Sequence, residues 1–219
     1  LLTIIILIPI DNIMIFIHPA IDPVIFSIGI FEIRWYGLAY VLAFVIGIKI
    51  IKILNLKLKS PLENTTIDNF LIWSVVGVIL GGRIGYVIFY QFEYFIKNPK
   101  YIFLIWEGGM SFHGGLIGMI VSIVFFSKKN KLNFFMLSDL VSIVAPIGLF
   151  LGRIANFINI ELIGRPTDFP FAIIYSSIDN LPRHPSQLYE AFFEGIVIFF
   201  ILLILFIRKN LEINSGFIS

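Results

Sequence analysis

Long apolar runs separated by short polar clusters set the pattern of this chain. A membrane-spanning helix needs about 20 mostly apolar residues. Five blocks read as spans: about Tyr36–Leu54, Phe70–Tyr90, Phe112–Phe126, Leu137–Asn159 and Leu188–Ile207. The third is short, and the apolar stretch before it can extend it. Residues 1–17 form a sixth apolar stretch, interrupted by Pro9, Asp11 and Asn12. It has neither the basic start nor the small-residue cleavage site of a signal peptide. The chain opens on Leu, which leaves Leu1 and Met14 both open as the start, the second making residues 1–13 an N-terminal extension. The pattern predicts an all-α, polytopic integral membrane protein. Residues 14–219 are expected to form one transmembrane domain of about five helices. The one long connection, about residues 160–187, is expected to form a small external cap.

Composition narrows the classes further. The chain is 58% hydrophobic and 14% charged, against roughly 45–50% and about 25% for an ordinary globular domain. That excludes a soluble enzyme, a disordered tail and a secreted disulfide scaffold. With no cysteine there is no thiolate metal site and no cysteine nucleophile. A net charge of +2 is too small to suggest nucleic acid as a partner. Lysines and arginines of short loops mark the cytoplasmic side. Lys49, Lys52, Lys57, Lys59, Lys128, Lys129, Lys131, Arg208 and Lys209 fall on one side, against Arg34, Lys97, Lys100, Arg165 and Arg183 on the other. The first set is assigned to the cytoplasm, which turns the 91–111 and 160–187 segments outward.

Glycines recur every fourth residue at Gly77, Gly81 and Gly85, at Gly114 and Gly118, and at Gly148 and Gly152. That spacing lets helix backbones approach closely in lipid, and packing alone is the first reading of each pair. Polar groups inside apolar spans are more informative, because burying charge there costs several kcal/mol or more. Arg83 lies in the outer half of the second span and His113 at the outer start of the third. Arg153 and Asn156 lie in the outer third of the fourth, Tyr36 begins the first, and Glu190 and Glu194 open the fifth. On the assigned topology these converge on one depth beneath the external face, which describes a site better than scattered anchors. Each has a plainer reading beside it. His113 alone reads as an interfacial residue, Arg83 as a snorkelling or paired cation, and the two glutamates as water-facing. Arg153 and Asn156, three residues apart, share a helix face. Asn159, Glu161 and Arg165 follow closely, and here a site is the stronger reading.

Gly152–Gly164, GRIANFINIELIG, resembles the signature of the prolipoprotein diacylglyceryl transferase family: G-R-x-[G/A]-N-F, an apolar residue, N-x-E, and a Gly after two more. Other blocks are similar to that family in order: IDPVIFSIG with RWYGL over Ile21–Leu38, GGRIGYVIFY over Gly81–Tyr90, GGMSFHGGLIG over Gly108–Gly118, and LPRHPSQLYEA over Leu181–Ala191. The resemblance runs over about residues 16–219. It implies transfer of the diacylglyceryl group of phosphatidylglycerol to the thiol of the lipobox cysteine in a prolipoprotein, the first step of bacterial lipoprotein maturation. The site would face the outer leaflet of the inner (cytoplasmic) membrane. The partners implied are phosphatidylglycerol, the prolipoprotein signal peptide and membrane lipid. No metal or organic cofactor is expected.

Set against that chemistry, the residues take roles. A thiol with pKa near 8.5 is only a few per cent thiolate at neutral pH, and a positioned base is worth roughly 10²–10⁴ in rate. His113 is the expected proton acceptor or relay. The leaving group is a phosphate ester that gains charge, and a guanidinium can hold it by two parallel hydrogen bonds. Arg153 is assigned to that phosphate. Asn156, Asn159 and Gly164 are placed with it at the lipid headgroup, and Arg83 as the other intramembrane arginine. Glu161 is expected to orient Arg153 or Arg165, and Tyr36 to bind headgroup or phosphate through its hydroxyl. Members of the family continue through two further spans that carry another important Arg and a Tyr. The chain stops at Ser219, where GFIS resembles the start of the next span, so a C-terminally shortened form is expected. The alternatives are an inactive truncated homologue, and a non-catalytic lipid-binding or transport protein. A transport pathway would need polar groups at both faces and the midplane, whereas the inner halves here are apolar apart from loop lysines and Asp139.

Overall fold

The computed structural model describes residues 8–10, 13–29, 31–58, 61–105, 108–208, 216 and 218. Most of the 1–13 segment lies outside the described residues, as do Lys59, Lys209, and Phe217 and Ser219 of the closing GFIS. Among the described residues, five helices are long and apolar enough to cross a membrane: α1 (Trp35–Asn55), α2 (Asn64–Phe89), α4 (Phe112–Asn130), α5 (Phe134–Ile158) and a run over Ser186–Arg208. A short α3 (Phe92–Lys97) and a 3₁₀ turn (Pro99–Phe103) follow α2. The last run comprises α6 (Ser186–Glu190), a π-helical stretch (Ala191–Val197) and α7 (Ile198–Arg208). The five expected spans are all present. Several extend by a polar turn that hydropathy does not register, as at Asn64-Thr65-Thr66 ahead of α2 and Lys128–Asn130 at the end of α4.

Two small sheets join this helical frame. Strands β1 (Ile8–Ile10), β2 (Ile13–Ile17), β5 (Ile173–Ile174) and β6 (Pro182–Arg183) form one sheet in the order β1-β2-β5-β6, with β2 and β5 parallel. Strands β3 (Val24–Ile28) and β4 (Phe31–Arg34) form an antiparallel hairpin ahead of α1. Hydropathy reads residues 13–17 as part of an apolar stretch. Five residues are too few to span a bilayer, and the isoleucine-rich run IMIFI suits a strand. Within the expected cap segment, β5 and β6 pair with each other and β5 takes its second neighbour from β2.

The chain divides into two compact units whose boundaries fall within α1, α5 and the last run: residues 1–47 with 144–204, and residues 48–143 with 205–219. In the second unit, α2 and α4 meet along their glycines. A Cβ on Gly81 would sit 2.7 Å from Gly118 Cα, and one on Gly85 would sit 2.7 Å from Gly114 Cα. Ser122 Oγ donates to the Trp73 carbonyl across the same seam at 2.9 Å. Small residues here permit backbone contact where lipid offers no hydrophobic drive. Deeper in this unit Phe70, Ile123, Phe126 and Leu137 form a buried cluster. Gly81→Ala is expected to lower stability by about 1–3 kcal/mol through overpacking. Gly37→Ala, with open space around it, should leave stability unchanged. Thermal unfolding in detergent checks the pair.

In the first unit, His18 follows β2 and is buried. Its Nε2–H donates to the Phe157 carbonyl at 2.9 Å, and its Nδ1 accepts from the Ala20 amide at 3.1 Å. Both bonds together require the neutral ring. Burial holds its pKa below the ordinary 6.5, against the raising effect of the Phe157 bond. The unfolded chain therefore takes up this proton at a higher pH than the folded one. Stability is expected to fall as pH drops through about 6.5, because the unfolded state then binds more protons. The melting temperature between pH 7.5 and 5 should decline, and His18→Gln should flatten that decline.

Candidate functional site

The candidate site residues of the fourth span lie towards the C-terminal end of α5, where the helix stops at Ile158. The turn beyond it is strained. Ile160 has φ +56° and Leu162 φ +52°, conformations that cost of order 1–3 kcal/mol in a non-glycine residue and cluster at functional sites. The turn folds the chain back, so the Glu161 amide donates to the Asn156 carbonyl at 2.9 Å. The Glu161 side chain then meets Tyr36 at the start of α1. Tyr36 Oη donates to Glu161 Oε2 at 2.5 Å, Asn156 Nδ2 donates to the same oxygen at 3.1 Å, and Asn156 Nδ2 also hydrogen-bonds Tyr36 Oη. Tyr36, Asn156 and Glu161 thus close a hydrogen-bonded triangle.

The LPRHPSQLYEA block clamps this turn. Gln187, fully buried, donates to the Glu161 carbonyl at 2.6 Å and accepts from Tyr175 Oη at 3.1 Å. Burial pushes the Tyr175 phenol up to about 12, so it remains a donor at neutral pH. Ser186 Oγ donates to the Leu162 carbonyl at 2.6 Å, and the Gly164 amide donates to the His184 carbonyl at 3.2 Å. A Cβ on Gly164 would lie 2.9 Å from His184 Cβ, so the signature's closing glycine lets two loop backbones touch. Arg183 donates to Asp179 at 2.5 Å and to the Gly164 carbonyl at 3.1 Å. The Arg183 hydrogen bonds hold the Asp179 carboxyl below its ordinary range.

Arg153 is not oriented by Glu161. Its Nε lies 2.8 Å from Glu190 Oε2 and its Nη2 3.5 Å from Glu194 Oε2. The Nε contact lacks hydrogen-bond geometry, so Nε is buried without a hydrogen-bond partner. Asn159 Oδ1 is buried in the same condition, and these are the two such side-chain atoms among the described residues. Tyr36, Arg153, Asn156, Asn159, Glu161 and Gly164 all belong to the first unit. Gln187 was not readable as a site neighbour, because an amide in a polar loop carries no hydropathy or spacing signal. Glu190 and Glu194 carried one, their spacing of a single turn.

Arg83 and His113 belong to the second unit. Every N–H of the Arg83 guanidinium points at a backbone carbonyl: Nε to Ile102 at 2.9 Å, Nη1 to Gly108 and Gly109, and Nη2 to Tyr101 and Leu104. The Phe95 ring lies 5.2 Å from its centre. Arg83 therefore ties down the segment leading into α4. There Ser111 caps the helix by accepting from the Gly114 amide at 3.2 Å. His113 sits exposed in the first turn of α4, its ring edge-on to Phe112. Among the described residues no group of three or more His, Asp or Glu is arranged to hold a metal ion. Arg83→Lys is expected to cost about 2 kcal/mol or more, since an ammonium cannot satisfy five carbonyls in a plane. Faster proteolysis of the 98–110 segment and a lowered melting temperature would record it.

Comparison with known proteins accords with the site's motifs. Residues 23–219 match the family described as prolipoprotein diacylglyceryl transferase. A protein of Rhodospirillum rubrum named phosphatidylglycerol–prolipoprotein diacylglyceryl transferase is 50% identical over 186 residues, covering 84% of this chain and 68% of its own length. Proteins of the same name from Pasteurella multocida (52% identical; 85% of this chain and 69% of its own) and Rickettsia typhi (49%; 91% and 79%) are similar. With five apolar helices of spanning length and a match over most of its residues, this multi-pass membrane protein belongs to the prolipoprotein diacylglyceryl transferase family, a family of transferases.

Proposed function

We propose that the chain transfers the diacylglyceryl group of phosphatidylglycerol to the thiol of a prolipoprotein's lipobox cysteine. The new bond joins the cysteine sulfur to the glyceryl carbon. The carbon–oxygen bond to phosphate breaks, glycerol phosphate leaves, and the thiol proton passes to a base. The observation that carries this reading is the end of α5, where Arg153 is held by ion pairs to two carboxylates rather than by hydrogen bonds, and Asn159 Oδ1 is buried without a hydrogen-bond partner. Buried polar atoms are almost always bonded, and an exception calls for a missing partner. The guanidinium can exchange a carboxylate for a phosphate, and Asn159 Oδ1 is an acceptor suited to a glycerol hydroxyl.

The roles are assigned from the chemistry of each side chain. Arg153 holds the phosphate and stabilises the charge it gains as the bond breaks. The Tyr36–Asn156–Glu161 triangle keeps the end of α5 rigid and offers the headgroup oriented hydrogen-bonding groups. The thiol proton is assigned to His113 on the chemistry of a general base alone. The site faces the outer leaflet of the inner membrane, a reading supported by the excess of lysine and arginine in the opposite loops. Both reactants are then confined to one plane and depth, which supplies much of the orientation that the reaction needs. The signal peptide with its lipobox cysteine is the protein partner, and the near-neutral charge leaves nucleic acid without a surface.

Purified chain given phosphatidylglycerol and a peptide with a free lipobox cysteine should yield a peptide heavier by one diacylglyceryl group in mass spectrometry. A folded chain that produces none overturns the reading. Arg153→Lys is expected to lose turnover by about 10²-fold or more while keeping its melting temperature. Normal turnover in that variant would remove Arg153 from the phosphate.

A further inference from the structure

Arg153 faces two carboxylates, and they are not equivalent. Glu190 Oε2 lies 2.8 Å from Nε, whereas Glu194 Oε2 lies 3.5 Å from Nη2 and its side chain is 43% exposed. One guanidinium beside two carboxylates leaves an excess negative charge where an anionic phosphate is to bind. The Arg153 side chain is only 24% exposed, so that repulsion is weakly screened. A carboxylate oxygen and a phosphate oxygen are alternative ligands for the same N–H fork. Hence the more distant carboxylate is the one a phosphate can replace.

The backbone around the pair suits this division. Glu194 stands in the π-helical stretch Ala191–Val197, and Glu190 precedes it. Such turns are rare and recur at functional sites. Gly195, adjacent to Glu194, packs on Phe150, three residues before Arg153; a Cβ there would lie 2.6 Å from Phe150 Cβ. This contact fixes how the two helix backbones meet within one turn of the ion pair, and leaves adjustment to the glutamate side chains.

We propose that Glu190 is a positioning residue that holds the Arg153 guanidinium, and that Glu194 is a resident competitor that occupies Nη2 until the lipid phosphate displaces it. This rests on the assignment of Arg153 to the phosphate. Removing the competitor should tighten lipid binding, and removing the positioner should weaken it. A merely structural pair would shift both variants in the same direction.

The test is equilibrium binding of phosphatidylglycerol to the whole chain in mixed micelles, read by displacement of a fluorescent phosphatidylglycerol, with peptide transfer measured in parallel. Glu194→Gln is expected to bind about 2- to 5-fold more tightly than wild type, the range for a partly exposed ion pair. Glu190→Gln should bind more weakly by a similar factor and lose kcat, with partial rescue by Glu190→Asp. Glu194→Ala serves if the glutamine variant fails to fold. Unchanged or weaker binding on removal of Glu194 overturns the proposal, as does a wild type that does not bind the lipid. The predicted order without any transfer upholds it and sinks the proposed activity. Transfer without that order does the reverse.

Discussion

A guanidinium inside an apolar helix must be compensated, because the cost of an unpaired buried charge is several kcal/mol. Arg83 and Arg153 meet that demand in opposite ways. Arg83 spends its whole donor fork on five backbone carbonyls and lies against the Phe95 ring. No N–H is left over, and the residue acts as a tie within its own unit. Arg153 is compensated by charge, with a buried Nε that makes no hydrogen bond. Compensation by carboxylates is exchangeable for compensation by phosphate, whereas compensation by a backbone cage is not. The same residue type is thus bonded to the backbone at one position and to exchangeable charges at the other.

Much of this was readable from residue order. The five spans follow from hydropathy because lipid forces each crossing segment to satisfy its own backbone hydrogen bonds, which only long apolar helices do. The glycine spacing of α2 and α4 anticipated their close contact, since a repeat of four puts small residues on one helix face. Arg153 and Asn156 stood out for the same geometric reason. The sheets did not. Strands β5 and β6 have two residues each, too few to show a period, and β5 takes its outer partner β2 from a segment more than a hundred residues away.

The pairing of side chains was less legible than their presence. Glu161 follows Arg153 closely in the chain, and residue order leaves it to orient Arg153 or Arg165. The turn at Ile160 and Leu162 sends it instead to Tyr36 and Asn156. A positive φ at a β-branched residue is not foreseeable from local preference, which disfavours it. It is held by contacts from distant segments, and those are invisible until the chain is folded. Arg83 shows the same limit. Its position inside a span signalled importance, but its five partners are carbonyls of the backbone, which every residue has.

The strained turn also explains why the site is rigid on one side only. The Glu161 amide, the Glu161 carbonyl, the Leu162 carbonyl and the Gly164 amide are each tied to a partner, three of them in the 184–187 segment. A conformation costing of order 1–3 kcal/mol persists only when its surroundings over-determine it in this way. The strain therefore fixes Asn156 and Glu161 before any ligand arrives, and binding has little left to order there. Arg153, one turn earlier on α5, sits outside that net and is held by two unequal ion pairs. A hydrogen-bonded wall beside an ion-paired cation is the combination the proposed transfer calls for. Under the proposed transfer, the wall is the surface that meets the headgroup, and the cation is the group that exchanges carboxylate for phosphate without either being left buried and unpaired.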